Sequence, residues 1–352
     1  MDKIRTTKST YLKELSLSAY HNYMKAAQLT AFRSPLRITS VKLPPLGPRE
    51  IAVQIYTAGI NFYELMVING TYPILPTLPI TPGGELAGVI IDIGKEITSF
   101  KKGDRVFSLA QTGKGTTGSY AQVAHVEEKY LYHLPDSLSF EEGTSFPMTG
   151  FTAYTMLTKR VHMPPRGIIL VHSAAGGVGS MLVQLIKILF PRTIIVGTCS
   201  DEKKVHVIRN LGADVIVNIK EKSFTDQIRT TFPDGLDVIF DPTGQQYFDD
   251  NLHLLRSTRG VLCSYGIYTG PITDPNVVGK LRKNNLTLSG FLMWPLLEDK
   301  IFCQKIFTHL FRLMDGKKLV PLIDNAFSLR NVNDALERMK KRENIGKILI
   351  KT

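Results

Sequence analysis

The sequence has little cysteine. Its 352 residues hold three, Cys199, Cys263 and Cys303, and no two form a C-x-x-C pair. A four-cysteine structural zinc site is arithmetically excluded, and a disulfide framework is not expected at this length. A reducing compartment is the simplest reading, which points to the cytoplasm. Long apolar runs are also missing. None approaches the ~18–20 residues that span a bilayer, so no transmembrane helix is expected. There is no long basic block, and basic residues do not interleave with aromatics in the way that reads single-stranded nucleic acid. None of the eight histidines joins a Ser and an Asp in a recognisable nucleophile motif.

What is present describes an ordinary globular chain. Hydrophobic residues make up 43% and charged residues 21%. The length implies roughly two domains at ~150 residues each. Lys and Arg number 43 against 31 Asp and Glu, a net charge of +12. Nucleic acid, an anionic membrane or a polyanionic small molecule would each suit such an excess. Its dispersal favours surface charge with a local phosphate-binding role. The densest cluster is Arg338–Arg342, in a helix-like stretch.

Residues 1–23 read as an N-terminal extension with a loosely packed, basic character. Asp2 and Glu14 weaken a transit-peptide reading, and no apolar stretch supports secretion, although organellar targeting stays open. From Met24 to about Ser145 short strands alternate with Gly/Pro turns, as in a small barrel or sandwich. Ser139–Glu142 fits a helix capping box. Six apolar strands then alternate with helices: 167–172, 193–199, 214–218, 236–241, 260–265 and 286–291. That pattern predicts an α/β fold with a doubly wound parallel sheet. The closing segment 345–350 is expected to return as a strand to the first domain.

The stretch Val171–Gly179 ends the first of those strands and opens its helix. Ala174, Ala175, Gly176, Gly177, Val178 and Gly179 follow the spacing of a dinucleotide-binding loop, with Ala174 in the first glycine position. Gly176 allows the backbone to approach a pyrophosphate, and Gly179 allows the helix to pack on the strand. The helix N-terminus offers free N–H groups and the positive end of its dipole. The second strand ends Gly197-Thr198-Cys199-Ser200, with no acid before Asp201. NAD usually requires a carboxylate there. Ser200, Lys203 and Lys204 instead suit a 2′-phosphate, so NADPH is favoured over NADH.

These motifs occur in an order that resembles the medium-chain dehydrogenase/reductases, from about Met24 to Lys351. The carrying stretches are Ala58–Pro73 (AGINFYELMVINGTYP), Thr81–Ile90 (TPGGELAGVI), Lys101–Val106 (KKGDRV), Ile169–Gly179 (ILVHSAAGGVG), Leu236–Gly244 (LDVIFDPTG) and Asn344–Ile350 (NIGKILI). Within that superfamily the chain is similar to the zinc-independent quinone oxidoreductases of the zeta-crystallin type, above all to the vesicle amine transport protein-like branch. The resemblance implies a GroES-like β-barrel catalytic domain, 24–149 with 291–352, around a Rossmann domain, 150–290. It places Asn61 and Thr152 beside the nicotinamide, Tyr72 in the cleft as a candidate proton donor, and Arg342 near the 2′-phosphate. Gly266 joins the cofactor set. Ile219 stands where bacterial members have a Tyr. Glu64 stands where the family often has Asp and reads as a solvated charge. The zinc-ligand positions of metal-dependent relatives are held by Asn61, Gly84 and about Ser145, so no metal is expected.

The reading is therefore a zinc-independent, NADPH-dependent oxidoreductase that passes hydride to a quinone or conjugated carbonyl, with Asn61 and Tyr72 as catalytic candidates. An enoyl-thioester reductase is the neighbouring alternative. A non-enzymatic, NADPH-binding module on a membrane surface or RNA is the third, motivated by the basic C-terminal third and by the apolar run Phe291–Leu297. The resemblance also implies a homodimer in which strand 286–291 pairs with its counterpart.

Overall fold

A computed structural model of the protein describes residues 23–221 and 223–352. The expected N-terminal extension therefore lies outside the described residues, except for Tyr23, which already belongs to a strand.

Strand β1 (Tyr23–Gln28) pairs antiparallel with β2 (Arg37–Lys42). Next come β3 (Glu50–Ile60), helix α1 (Phe62–Ile68), β4 (Glu85–Ile93), β5 (Arg105–Leu109), β6 (Val123–Glu127) and β7 (Leu131–His133). β3 is the hub of this half. It pairs antiparallel with β4 and with β6, and β5 and β7 extend the sheet beyond β4. Two register shifts between β3 and β4 bend the pair, and such bulges increase local twist. The sequence of β3 alternates only partly because the strand is buried along nearly its whole length. A strand covered on both faces has no solvent side to encode.

Helix α2 (Phe140–Ser145) starts with the expected capping box: the Ser139 hydroxyl accepts from Glu142 N, and Ser139 N donates to the Glu142 carboxylate. Pro147 does not simply break this region. It occupies the first turn of a new helix, α3 (Pro147–Thr155), where its missing N–H costs nothing.

The second half is the alternating unit. Its elements are β8 (Ile168–Val171), α4 (Gly177–Leu189), β9 (Ile194–Cys199), α5 (Val205–Asn210), β10 (Val215–Asn218), α6 (Phe224–Thr231), β11 (Val238–Asp241), α7 (Phe248–Leu254), β12 (Val261–Ser264), α8 (Val277–Asn284) and β13 (Thr287–Gly290). All six expected strands form, trimmed by one or two residues at their ends. The sheet is parallel, with spatial order β10-β9-β8-β11-β12-β13. That is the dinucleotide-binding order, with a topological switch between β8 and β11.

The chain then crosses back through α9 (Lys300–Asp315), β14 (Ile323–Ser328), α10 (Val332–Lys340) and β15 (Lys347–Lys351). β15 pairs antiparallel with β3, as expected of the returning segment, and parallel with β14. The apolar run Phe291–Leu297 is divided: Phe291, Met293 and Leu297 are buried, whereas Leu292 and Pro295 are exposed.

An aromatic cluster locks α9 against both α3 and the first sheet. The Phe307 ring meets Phe107 at 5.0 Å, Tyr132 at 4.7 Å and Phe151 at 5.7 Å between centroids. The first two are edge-to-face and the third is tilted, and such contacts add to the burial of each ring. Phe307→Ala should cost ~3–5 kcal/mol of unfolding free energy, as large aromatic truncations do, read as a lowered urea midpoint.

Candidate functional site

A cavity of about 150 Å³ opens at the C-terminal ends of the parallel strands, beside the switch between β8 and β11. It reaches from the glycine-rich loop across to Asn61, Phe62 and Lys347 of the first sheet. Both halves of the fold thus line a single chamber.

The glycines of the loop have separate tasks. A Cβ on Gly179 would lie 2.1 Å from the Ser173 carbonyl oxygen, and one on Gly177 would lie 2.8 Å from Thr149 Cγ2. Neither position accepts a side chain without movement. At Gly176 the nearest atom would be 3.2 Å away. Ser173 turns the chain with φ +54°, a conformation uncommon outside glycine. A buried polar chain holds it there. Ser173 N donates to Thr198 Oγ1 (3.2 Å), which lies 3.2 Å from His172 Nδ1. His172 Nε2 lies 2.7 Å from Asn251 Oδ1, and Asn251 Nδ2 donates to Asp241 (3.2 Å). Because the Asn251 amide presents its oxygen, His172 donates from Nε2 and accepts at Nδ1. The first turn of α4 then presents its unpaired N–H groups to the cavity.

At the end of β9, Ser200 lines the cavity. The Asp201 carboxylate caps the following turn by accepting from Lys203 N (2.9 Å). Lys204 is buried, and its ammonium donates to the carbonyls of Arg342 (2.6 Å) and Asn344 (2.9 Å). Burial pulls its pKa down. Lys204 therefore spends two of its three donors on backbone, a structural role absent from the sequence reading. Arg342 sits at φ +57° and lines the cavity. The segment after it is fastened twice more. Gly346 N donates to the Ala175 carbonyl (2.7 Å), and Ile345 N donates to Asp324, which also holds Arg338 through two contacts of 2.6 and 3.0 Å.

The opposite wall carries a buried ion pair. The Lys347 ammonium lies 2.5 Å from Glu85, and both side chains are almost fully buried. It also donates to Asn61 Oδ1, while Asn61 Nδ2 donates to Glu85 (3.2 Å). Behind them lies Glu64, which the structure buries completely rather than leaving it solvated. Its carboxylate accepts from Asn61 N (2.7 Å), Gly84 N (3.2 Å) and the Tyr120 hydroxyl (2.5 Å). Desolvation pushes its pKa up to about 7, against the pull of Tyr120, Asn61, Lys347 and Gly84.

Of the residues expected from sequence, Asn61, Ala175, Gly176, Gly177, Val178, Gly179, Ser200, Lys204 and Arg342 meet at this cavity. Tyr72, Thr152, Ala174, Lys203 and Gly266 are not among its lining. Tyr72, the candidate proton donor, instead accepts from the Trp294 indole N–H (2.7 Å) beside the Tyr63 ring. Thr152 is buried against Met293. Ala174 is fully buried in the core. Lys203 is exposed in a single helical turn. A Cβ on Gly266 would lie 2.3 Å from the Pro242 carbonyl oxygen, so the two loops pack closely there. The sequence reading missed Lys347 and the burial of Glu64. A lone Lys directly before the apolar run ILI of NIGKILI was the available signal for the first.

The raised Glu64 pKa fixes a pH dependence. The folded state binds the proton more tightly than the unfolded state does. Unfolding free energy therefore falls as pH rises from about 4.5 to about 7 and levels off above that. Glu64→Gln should flatten that part of the profile, seen in urea midpoints measured from pH 4 to 8.

Comparison with known proteins agrees with this architecture. Residues 47–136 match the alcohol dehydrogenase GroES-like domain, and residues 211–350 match the zinc-binding dehydrogenase family. The synaptic vesicle membrane protein VAT-1 homolog of Rattus norvegicus is 30% identical over 87% of this chain and 78% of its own length. Its Danio rerio counterpart is 33% identical over 88% of this chain, which spans 65% of that relative. The quinone oxidoreductase structure from Pseudomonas syringae pv. tomato aligns with a TM-score of 0.86 at 27% identity, over 94% of this chain and 100% of that one. The chain belongs to the medium-chain dehydrogenase/reductase family and fits its VAT-1-like, quinone oxidoreductase-related branch.

Proposed function

We propose that the protein is an NADPH-dependent oxidoreductase that reduces a quinone or a conjugated carbonyl without zinc. One observation carries this reading. A single cavity joins a glycine-rich helix N-terminus, built for a pyrophosphate, to a polar wall made by Asn61 and Lys347. When bound, NADPH supplies the hydride. The residues of the chain bind and orient it and shape the electrophile's site.

The preference for NADPH rests on the end of β9. The first acid there, Asp201, caps its own backbone, and neither it nor Glu202 lines the cavity where a ribose diol would lie. Ser200 and Arg342 both line the cavity at that end and suit a phosphate. The donor set does not fit zinc. A Cβ on Gly84 would lie 2.0 Å from the Ala110 carbonyl oxygen, so no ligand side chain fits at that position. The Glu85 carboxylate is already neutralised by Lys347. Among the described residues no group of three His, Cys, Asp or Glu could hold a metal ion.

The name of the vesicle relatives raises a membrane role. Among the described residues no helix is long and apolar enough to cross a membrane. Phe291, Met293 and Leu297 are buried, which leaves Leu292 and Pro295 as the exposed residues of the apolar run and narrows the surface that a binding module could use. An enzyme reading is favoured. We also propose a homodimer, because among the described residues β13 pairs only with β12 and leaves an open sheet edge.

The expected result is oxidation of NADPH by a panel of quinones and enones, with NADPH bound more tightly than NADH. Loss of an Arg–phosphate contact costs ~1.5–3 kcal/mol, so Arg342→Ala should weaken NADPH at least ~10-fold and barely change NADH. Fluorescence titration of both cofactors checks this. Light scattering should give twice the mass of the chain at micromolar concentration.

A further inference from the structure

We propose that the Lys347 ammonium contacts the carbonyl oxygen of the substrate and stabilises the negative charge that grows there during reduction. This deepens the hydride-transfer reading of the same cavity and rests on it.

The ion pair is unusual for its place. Lys347 is the first residue of β15, at the junction of both halves, and it lines the cavity. Glu85 anchors it from behind. The second carboxylate oxygen accepts from Met148 N (2.8 Å), at the N-terminal turn of α3. That turn favours a negative charge. Gly59 on β3 makes the room. A Cβ there would lie 2.6 Å from the Glu85 carboxylate and 2.7 Å from Lys347 Cε. Asn61 completes the holder, with its amide oxygen on the ammonium and its amide nitrogen on the carboxylate.

A buried ion pair contributes little stability compared with apolar residues of the same volume. Its presence in a cavity wall therefore calls for a use of the charge. The ammonium has three donors. Glu85 and Asn61 take two, and one remains for a ligand. A fixed and nearly buried cation is worth most where charge develops.

The balance is that of a two-electron reduction. Bound NADPH would supply the hydride to the ring or β-carbon of the electrophile and would leave as NADP+. The electron pair of the conjugated system moves onto the carbonyl oxygen, which Lys347 stabilises without giving up its proton. Water protonates the oxygen afterwards. Asn61 becomes a positioning residue that orients Lys347.

Lys347→Met tests the assignment. Met in place of Lys strands the Glu85 charge, so Lys347→Gln with Glu85→Gln, which removes both charges, carries the same readout should the single variant not fold. With folding checked by circular dichroism, kcat should fall ~10²–10³-fold while the NADPH Kd changes less than ~threefold. The primary isotope effect on kcat from NADPH deuterated at C4 should rise, because hydride transfer becomes slower than release. Lys347→Arg should recover part of kcat. An unchanged kcat overturns the assignment. So does a weakened NADPH Kd with kcat retained, which would make the ammonium a phosphate ligand. Wild-type protein that binds NADPH yet reduces no quinone or enone overturns the reading of function itself, and the role of Lys347 with it.

Discussion

The antiparallel pairing of β15 with β3 is the constraint on which the rest depends. It brings Lys347 and the segment 342–346 over the glycine loop and against Asn61. Without it the parallel sheet would still form a nucleotide crevice, but the crevice would have one wall. The pairing is reinforced by contacts of unlike kinds. The Gly346 backbone meets Ala175, the Lys204 ammonium holds two carbonyls, and Arg338 with Asp324 braces the turn from behind. Contacts spread over backbone, ammonium and ion pair share no single partner, so the segment is fixed in more than one direction.

The parallel sheet was legible in the sequence almost residue by residue. Its central strands are buried on both faces, so they read as continuous apolar runs punctuated by helices. The glycine loop was legible because its spacing follows from sterics, as Gly179 illustrates. The first sheet was harder. β3 is buried at eight of its eleven residues and carries two register shifts, and neither feature leaves a clean alternation. Site residues from distant parts of the chain were harder still. Lys347 and Asn61 are 286 positions apart, and no local pattern reports that they meet.

Charge was the weakest guide. Lys203 and Lys204 read as equivalent neighbours in the sequence, yet one is exposed and the other is buried against carbonyls. Glu64 read as a surface charge because a short amphipathic helix does not declare which face an acid takes. Three donors converge on it in the interior. In both cases the fate of the charge was decided by tertiary partners that no local window contains.

The same returning strand bears on how the molecule is born. A polypeptide emerges from the ribosome in order, and domains tend to fold as they appear. The glycine loop and most of both sheets can organise early. The chamber cannot, because Lys347 and the clasp over Ala175 are synthesised after both sheets' other strands. Until then Glu85 is a carboxylate in a half-built interior without its cation. The pocket is thus closed only after the strands that frame it have been made.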